Sequence, residues 1–158
     1  MSDGPEKQFV VFRLGKEEYG IDVTTVREIH GISDITTVHR SARYIEGIIN
    51  LRGKLLTVIN LRKRFDMEPA EGMASERIVV IDAPDAPVGF LVDEVLEVLR
   101  IGPEAVEKAP EYVTKGIDAQ YVLGIAKQED RLITLVDPMR ILELSTDAEA
   151  EPGGGKDG

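Results

Sequence analysis

The sequence contains no cysteine and no tryptophan. Without cysteine there are no disulfides, no thiolate nucleophile and no cysteine-based metal site, and the chain suits a reducing compartment. Aromatic residues make up only 5% of it. Its core must therefore be assembled from Val, Ile and Leu, which favour strands when they come in short runs. Long apolar runs are lacking too: none approaches the ~20 residues of a membrane-spanning helix. Met1 to Lys7 is polar and has no apolar stretch of the kind a secretory signal needs. These absences predict a cytoplasmic protein with no direct membrane insertion.

Positive charge is also scarce. Lys and Arg number 19 against 29 Asp and Glu, a net charge of −10, which disfavours nucleic acid as a partner. The shortage is uneven. From Arg40 to Arg64 seven basic residues stand against one acid, Glu46, giving +6 locally and leaving −16 for the rest. A basic face on an acidic protein suits an acidic protein partner, and a solvated face explains it equally well.

What is present is a chain that repeats itself. Its 158 residues, 42% hydrophobic and 30% charged, suit one folded domain or two small units sharing a core. Phe9-Val10-Val11-Phe12 matches Ile78-Val79-Val80-Ile81 at an offset of 69, and the same offset aligns Gly20 with Gly89, Val26 with Val95 and Glu28 with Glu97. A second block matches at an offset of 77: Gly47 with Gly124, Leu55 to Ile59 with Leu132 to Val136, Asn60 with Asp137 and Phe65 with Leu142. The second copy thus carries eight extra residues, within Ile101 to Gln120. Matched glycines and turn positions point to duplication of a mostly β unit.

Each copy reads as a hairpin, a linker and a second hairpin. Gln8 to Leu14 and Glu18 to Val23 are strands joined at Gly15-Lys16-Glu17. Thr25-Val26-Arg27-Glu28 fits a capping box and predicts a short helix ending at Gly31. Gly31 to Ala42 reads as a loop with a possible edge strand. Ile45 to Leu51 and Lys54 to Asn60 are strands joined at Arg52-Gly53, where glycine supplies a positive φ. Asn60 caps a basic helical turn over Leu61 to Phe65. In the second copy, Arg77 to Asp82 and Val88 to Val95 are strands joined by a turn with two prolines. Tyr121 to Lys127 and Arg131 to Val136 form the last hairpin, and Asp137-Pro138 opens a C-terminal helix running to about Leu144. Eight to ten strands and a duplication predict two small antiparallel barrels packed together. The first is expected mainly over 15–76, the second over 77–136 plus an exchanged N-terminal strand. Residues 1–7 and 145–158 lack apolar side chains to bury and are expected to be disordered.

No reactive constellation emerges. His30 and His39 lack metal-ligand spacing, so neither metal nor cofactor is expected. There is no nucleophile elbow and no phosphate-binding loop. Asp93, Glu94 and Glu97 form the one carboxylate group an enzyme could use, and an exposed polar face is the simpler account. RNA binding would need aromatics on a basic sheet, whereas the four Phe and four Tyr fall mostly in apolar strand positions. The chain therefore reads as a binding module with no catalytic residues.

The block Tyr44-Ile45-Glu46-Gly47-Ile48-Ile49-Asn50-Leu51-Arg52-Gly53, followed by Leu56, Val58, Ile59, Asn60 and Leu61, resembles the signature of the CheW family of chemotaxis adaptors. Phe9 to Leu14 with Glu18 to Val23 is similar to that family's opening hairpin, Val26 to Ile29 to its first helix, and Gly89 to Val98 to its second-half strand. The resemblance covers about 8–144. It implies two intertwined SH3-like five-stranded β-barrels with short helices. It also implies a non-enzymatic coupling protein. Its partners would be the regulatory domain of the histidine kinase CheA and the cytoplasmic tip of chemoreceptors, with the chain recruited to membrane-associated arrays. An adaptor of another receptor–kinase pathway, such as twitching motility, is the alternative.

The resemblance marks Val26, Glu28, Asn50, Arg52 and Gly53 as partner-facing. Val26, Glu28 and Arg52 also have a structural reading. Val26 matches apolar Val95 and fits a core position. Glu28 fits the capping box. Arg52 stands beside a turn glycine, but the matching turn Gln128-Glu129-Asp130 lacks both residues. The duplicated hairpin thus does not require Arg-Gly, which favours a forked contact with a partner carboxylate.

Overall fold

The structure, a computed structural model, describes residues 6–32, 34–39, 41–68, 74–108 and 119–143. Eleven strands lie among them: β1 (Lys7–Leu14), β2 (Glu17–Asp22), β3 (Val26–Gly31), β4 (Ile45–Leu51), β5 (Lys54–Asn60), β6 (Arg77–Ile81), β7 (Val88–Val92), β8 (Glu94–Ile101), β9 (Val106–Glu107), β10 (Val122–Gln128) and β11 (Arg131–Val136). A short helix, α1 (Leu61–Arg64), follows β5, and residues 138–143, here α2, follow β11. The chain is mostly β, as expected. The tail from 145 onward and half of the segment expected to hold the insertion lie outside the described residues, and β1 already begins at Lys7.

The strands form two sheets, ordered β8-β1-β2-β11-β10-β9 and β3-β6-β7-β5-β4. They do not sort at residue 76. The first hairpin, β1–β2, lies between β8 and β11 of the second copy, and its counterpart β6–β7 lies between β3 and β5 of the first. Each copy lends its opening hairpin to the other. Among the described residues no ladder joins the outer strands of either sheet, so closure of the expected barrels is not seen in the strand pairing.

The registers repeat across the duplication. Gln8 faces Arg100 as Arg77 faces Gly31, and Phe12 faces Val95 as Ile81 faces Val26. The parallel pairs Tyr19 with Thr134 and Val88 with Thr57 are likewise equivalent. Even the irregularities coincide, with register shifts at Val26/Glu28 opposite β6 and at Val11/Phe12 in the β1–β8 ladder.

Three cores follow. Phe9, Val11, Ile133 and Leu135 fill one sheet, and their counterparts Ile78, Val80, Leu56 and Val58 fill the other. The largest cluster lies between the sheets, where Phe12, Tyr19, Phe65 and Tyr121 run as a chain of ring contacts 5.3–5.8 Å apart. The few aromatics are thus concentrated where the two halves meet.

Two expected elements differ. Val88 to Val95 is not one strand: it breaks at Asp93 into β7, which pairs in one sheet, and β8, which pairs with β1 in the other. Val26 to Gly31 is strand β3, not a helix. The capping signal nearby belongs to a single 3-10 turn, Val23–Thr25, whose N-cap Asp22 accepts a hydrogen bond from the Thr24 amide at 2.9 Å. Local capping stabilises by about 1 kcal/mol, and pairing along β6 satisfies a whole row of backbone groups. The helix caps elsewhere are as expected: Asn60 accepts from the Lys63 amide and Asp137 from the Met139 amide. The loop before β4 meets the sheet through a bridge, Thr36 to Ile48, and through Ile35 packed on its apolar face. Gly47 is required there, because a Cβ would sit 2.2 Å from the Thr36 carbonyl oxygen.

Candidate partner-binding site

Glu28 and Arg52 meet although β3 and β4 are opposite edges of their sheet. Arg52 lies at the tip of the β4–β5 hairpin, so the sheet curls until that tip reaches β3. The guanidinium forks onto the carboxylate, Nη2 pairing with Oε2 and Nη1 lying 3.5 Å from Oε1. This hydrogen-bonded pairing holds the Glu28 carboxyl below its ordinary value and raises Arg52.

The turn presents Arg52 at a conformational cost. Arg52 has φ +52° and Gly53 +85°, the signature of the two-residue turn that matches strand twist. Glycine tolerates this, and an arginine does so less readily. The Asn50 side chain accepts the Gly53 amide at 2.9 Å and braces the loop.

Four of the five candidates therefore converge: Glu28 and Arg52 as a pair, Asn50 and Gly53 as the turn that carries it. Val26 does not join them. Glu28 faces Val80 and Val26 faces Ile81, neighbours on β6 whose side chains point to opposite faces. The extra residue Arg27 causes this switch. Val26 is half-buried against the core between the sheets.

The pair lies beside a depression of about 240 Å³ floored by Leu56 and Val80 and rimmed by Lys54, Leu55 and Pro87. Leu55 is 70% exposed. It was missed because it sits inside the apolar run Leu55 to Ile59. Its phase was the available signal: Leu56 and Val58 are buried, so Leu55 faces outward.

The carboxylates considered for catalysis do not converge. Glu94 pairs with Arg13, Glu97 with Arg131, and Asp93 with Arg62. Asp93 is not on an exposed face; it is 2% exposed. The basic turn is not simply solvated either. Arg62 is consumed by Asp93, Lys63 lies 3.5 Å from Glu46, and the Arg64 guanidinium lies over the rings of Tyr44 and Tyr121 at 5.3 and 5.6 Å. No helix among the described residues is long and apolar enough to cross a membrane.

The CheW-like domain family matches residues 8–146. The chain belongs to that family. It is 36% identical over 146 residues to a chemotaxis protein CheW of Bacillus subtilis, covering 92% of this chain and 93% of that one. A probable chemotaxis protein CheW of Rhizobium etli is 33% identical, with 92% of each chain covered. Among solved structures, the scaffolding protein TtCheW of Thermoanaerobacter tengcongensis superposes with a TM-score of 0.79 at 35% identity, covering 88% of this chain and 89% of that one. The chain is accordingly a chemotaxis coupling adaptor.

Proposed function

We propose that this chain is a non-catalytic cytoplasmic adaptor that binds the regulatory domain of the histidine kinase CheA and the cytoplasmic tip of chemoreceptors, and so joins them in arrays at the membrane. The observation that carries the reading is the Glu28–Arg52 pair at the β4–β5 turn. The equivalent turn places Glu129 at φ +56° where this one has Arg52 at +52°, so the backbone there does not call for arginine. What the turn gains is a guanidinium with its side chain 69% exposed, held in one orientation beside apolar Leu55 and cationic Lys54. Such a patch suits a partner with an apolar side chain next to a carboxylate. Glu28, Asn50, Arg52 and Gly53 are its working residues, and Val26 supports β3 from beneath. Asp93, Glu94 and Glu97 each pair with a different arginine, so these three carboxylates do not form an acid–base pair.

Calorimetric titration with the CheA regulatory domain, and separately with a receptor tip fragment, tests this. Saturable binding to both is expected. Failure of both at high concentration sinks the reading. Arg52→Ala that loses one partner and keeps the other assigns the patch.

A further inference from the structure

The two copies differ at their helix ends, and the difference leaves a groove. At the α1 end, the turn of hairpin β1–β2 packs beneath helix α1. At the α2 end, the equivalent turn of β6–β7 meets helix α2 across a groove of about 710 Å³. The offsets of 69 and 77 pair the residues of the two ends one by one. Leu14, Tyr19 and Phe65 are 0%, 2% and 1% exposed. Their counterparts are Ala83, Val88 and Leu142, each smaller and each only half-buried. Arg62, which carries the cation at the α1 end, is replaced by Met139. The groove exists because side-chain volume present at one end is missing at the other.

The shape of the missing matter defines the occupant. It needs a bulky apolar side chain where the Tyr19 and Phe65 rings lie at the α1 end. It also brings a cation, because the groove carries the exposed acids Asp85 and Glu143. Neither acid has an ion-pair partner among the described residues. The chain's own residues from 144 to 158 include four acids and one lysine, which suits them poorly to such a rim.

We propose that the groove between the β6–β7 turn and α2 docks a segment of another protein in which a bulky apolar residue stands next to Lys or Arg. This surface is separate from the Glu28–Arg52 patch, and the proposal does not depend on the identity of that patch's partners. The cation meets Asp85 and Glu143, the apolar side chain enters beside Val88 and Leu142, and burial of that side chain supplies the main attraction.

The test is an amide chemical-shift titration of the full-length, isotope-labelled chain. The probe is a blocked peptide carrying adjacent Phe and Leu flanked by Lys and Arg; the control replaces the basic residues with Glu. Saturable shifts confined to Ala83–Val88 and Met139–Glu143 are expected, with the control about tenfold weaker or worse. Val88→Tyr with Leu142→Phe, which restores the α1-end side chains, should abolish the response while keeping the spectrum dispersed. The proposal is overturned if the two peptides act alike, if the filled variant still binds, or if millimolar peptide moves none of these amides. Contacts between residues 144–158 and Val88 in the free chain would also overturn it, since the chain would then fill its own groove.

Discussion

Arg62 holds Asp93 through two side-by-side hydrogen bonds, Nε to Oδ1 at 2.8 Å and Nη2 to Oδ2 at 2.5 Å, and the Gly15 amide donates a third to Oδ2 at 2.7 Å. One carboxylate thus ties helix α1, the first hairpin and the junction of β7 with β8, elements from both sheets. The side chains are 16% and 3% exposed. Asp93→Ala leaves a guanidinium largely out of water without its partner and is expected to cost about 3–5 kcal/mol in denaturant unfolding, whereas Arg62→Met with Asp93→Leu should cost far less. Equal losses in the two variants would show that the pair contributes little beyond packing.

The same pair sets an acid response. Burial pushes the Asp93 carboxyl up, but the hydrogen bonds from Arg62 and Gly15 outweigh it and hold the group below its ordinary 3.8. A depressed folded value means the contribution is full above 3.8 and is lost as pH falls through the folded value. Asp93→Asn should therefore flatten the fall in unfolding free energy below pH 4, although the variant is less stable at pH 7. Parallel acid limbs for the two proteins would contradict this.

Arg52→Ala should leave the fold intact, with thermal unfolding close to that of the parent, because the Glu28–Arg52 pair is exposed and screened. Its effect should fall on partner binding, weakened by about tenfold or more. A variant that unfolds at a much lower temperature would instead mark Arg52 as a fold determinant.

Gly89 lies where β7 passes under its neighbours, and a Cβ there would sit 2.5 Å from Ile78 Cγ2. Gly89→Ala should lower unfolding free energy by about 1–3 kcal/mol through overpacking. Gly31→Ala, with nothing within 4 Å of the new methyl, should show no clash penalty. The contrast between the two variants is the measurement.

Breaking the chain between residues 70 and 71 separates β5 from β7 and β2 from β11, the parallel pairs that join the copies. Neither fragment should give a dispersed amide spectrum alone, and mixing should restore one. A fragment that folds by itself would show that the hairpin exchange is dispensable.

Hairpins, caps and the duplication were legible in the sequence because they depend on neighbours: a turn glycine, an alternation, an Asn three residues before its amide. The β3 error had the opposite origin. Thr25 and Glu28 satisfy a local helix rule, but the partner that decides the matter is β6, some fifty residues away. The site was legible in part. Arg52 stood out because its duplicate position holds Glu129, yet nothing nearby announced that it folds back onto Glu28. Asp93 was invisible for the same reason: Arg62 and Gly15 are distant in sequence. Read along the chain, Asp93-Glu94 looked like solvent-facing charge. The groove beside α2 appears only when each residue is compared with its counterpart at the other end.

The exchanged hairpins bear on how such a chain can change over generations. Two identical units lending hairpins to each other must accept every substitution twice, once at each end. Joined in one chain, the ends are inherited separately. Tyr19 can stay in its stack while Val88 drifts, and Arg62 can stay locked while Met139 replaces its image. Fusion turns a symmetric object into one with a sealed end and an open end, and only the second is free to acquire something new to hold.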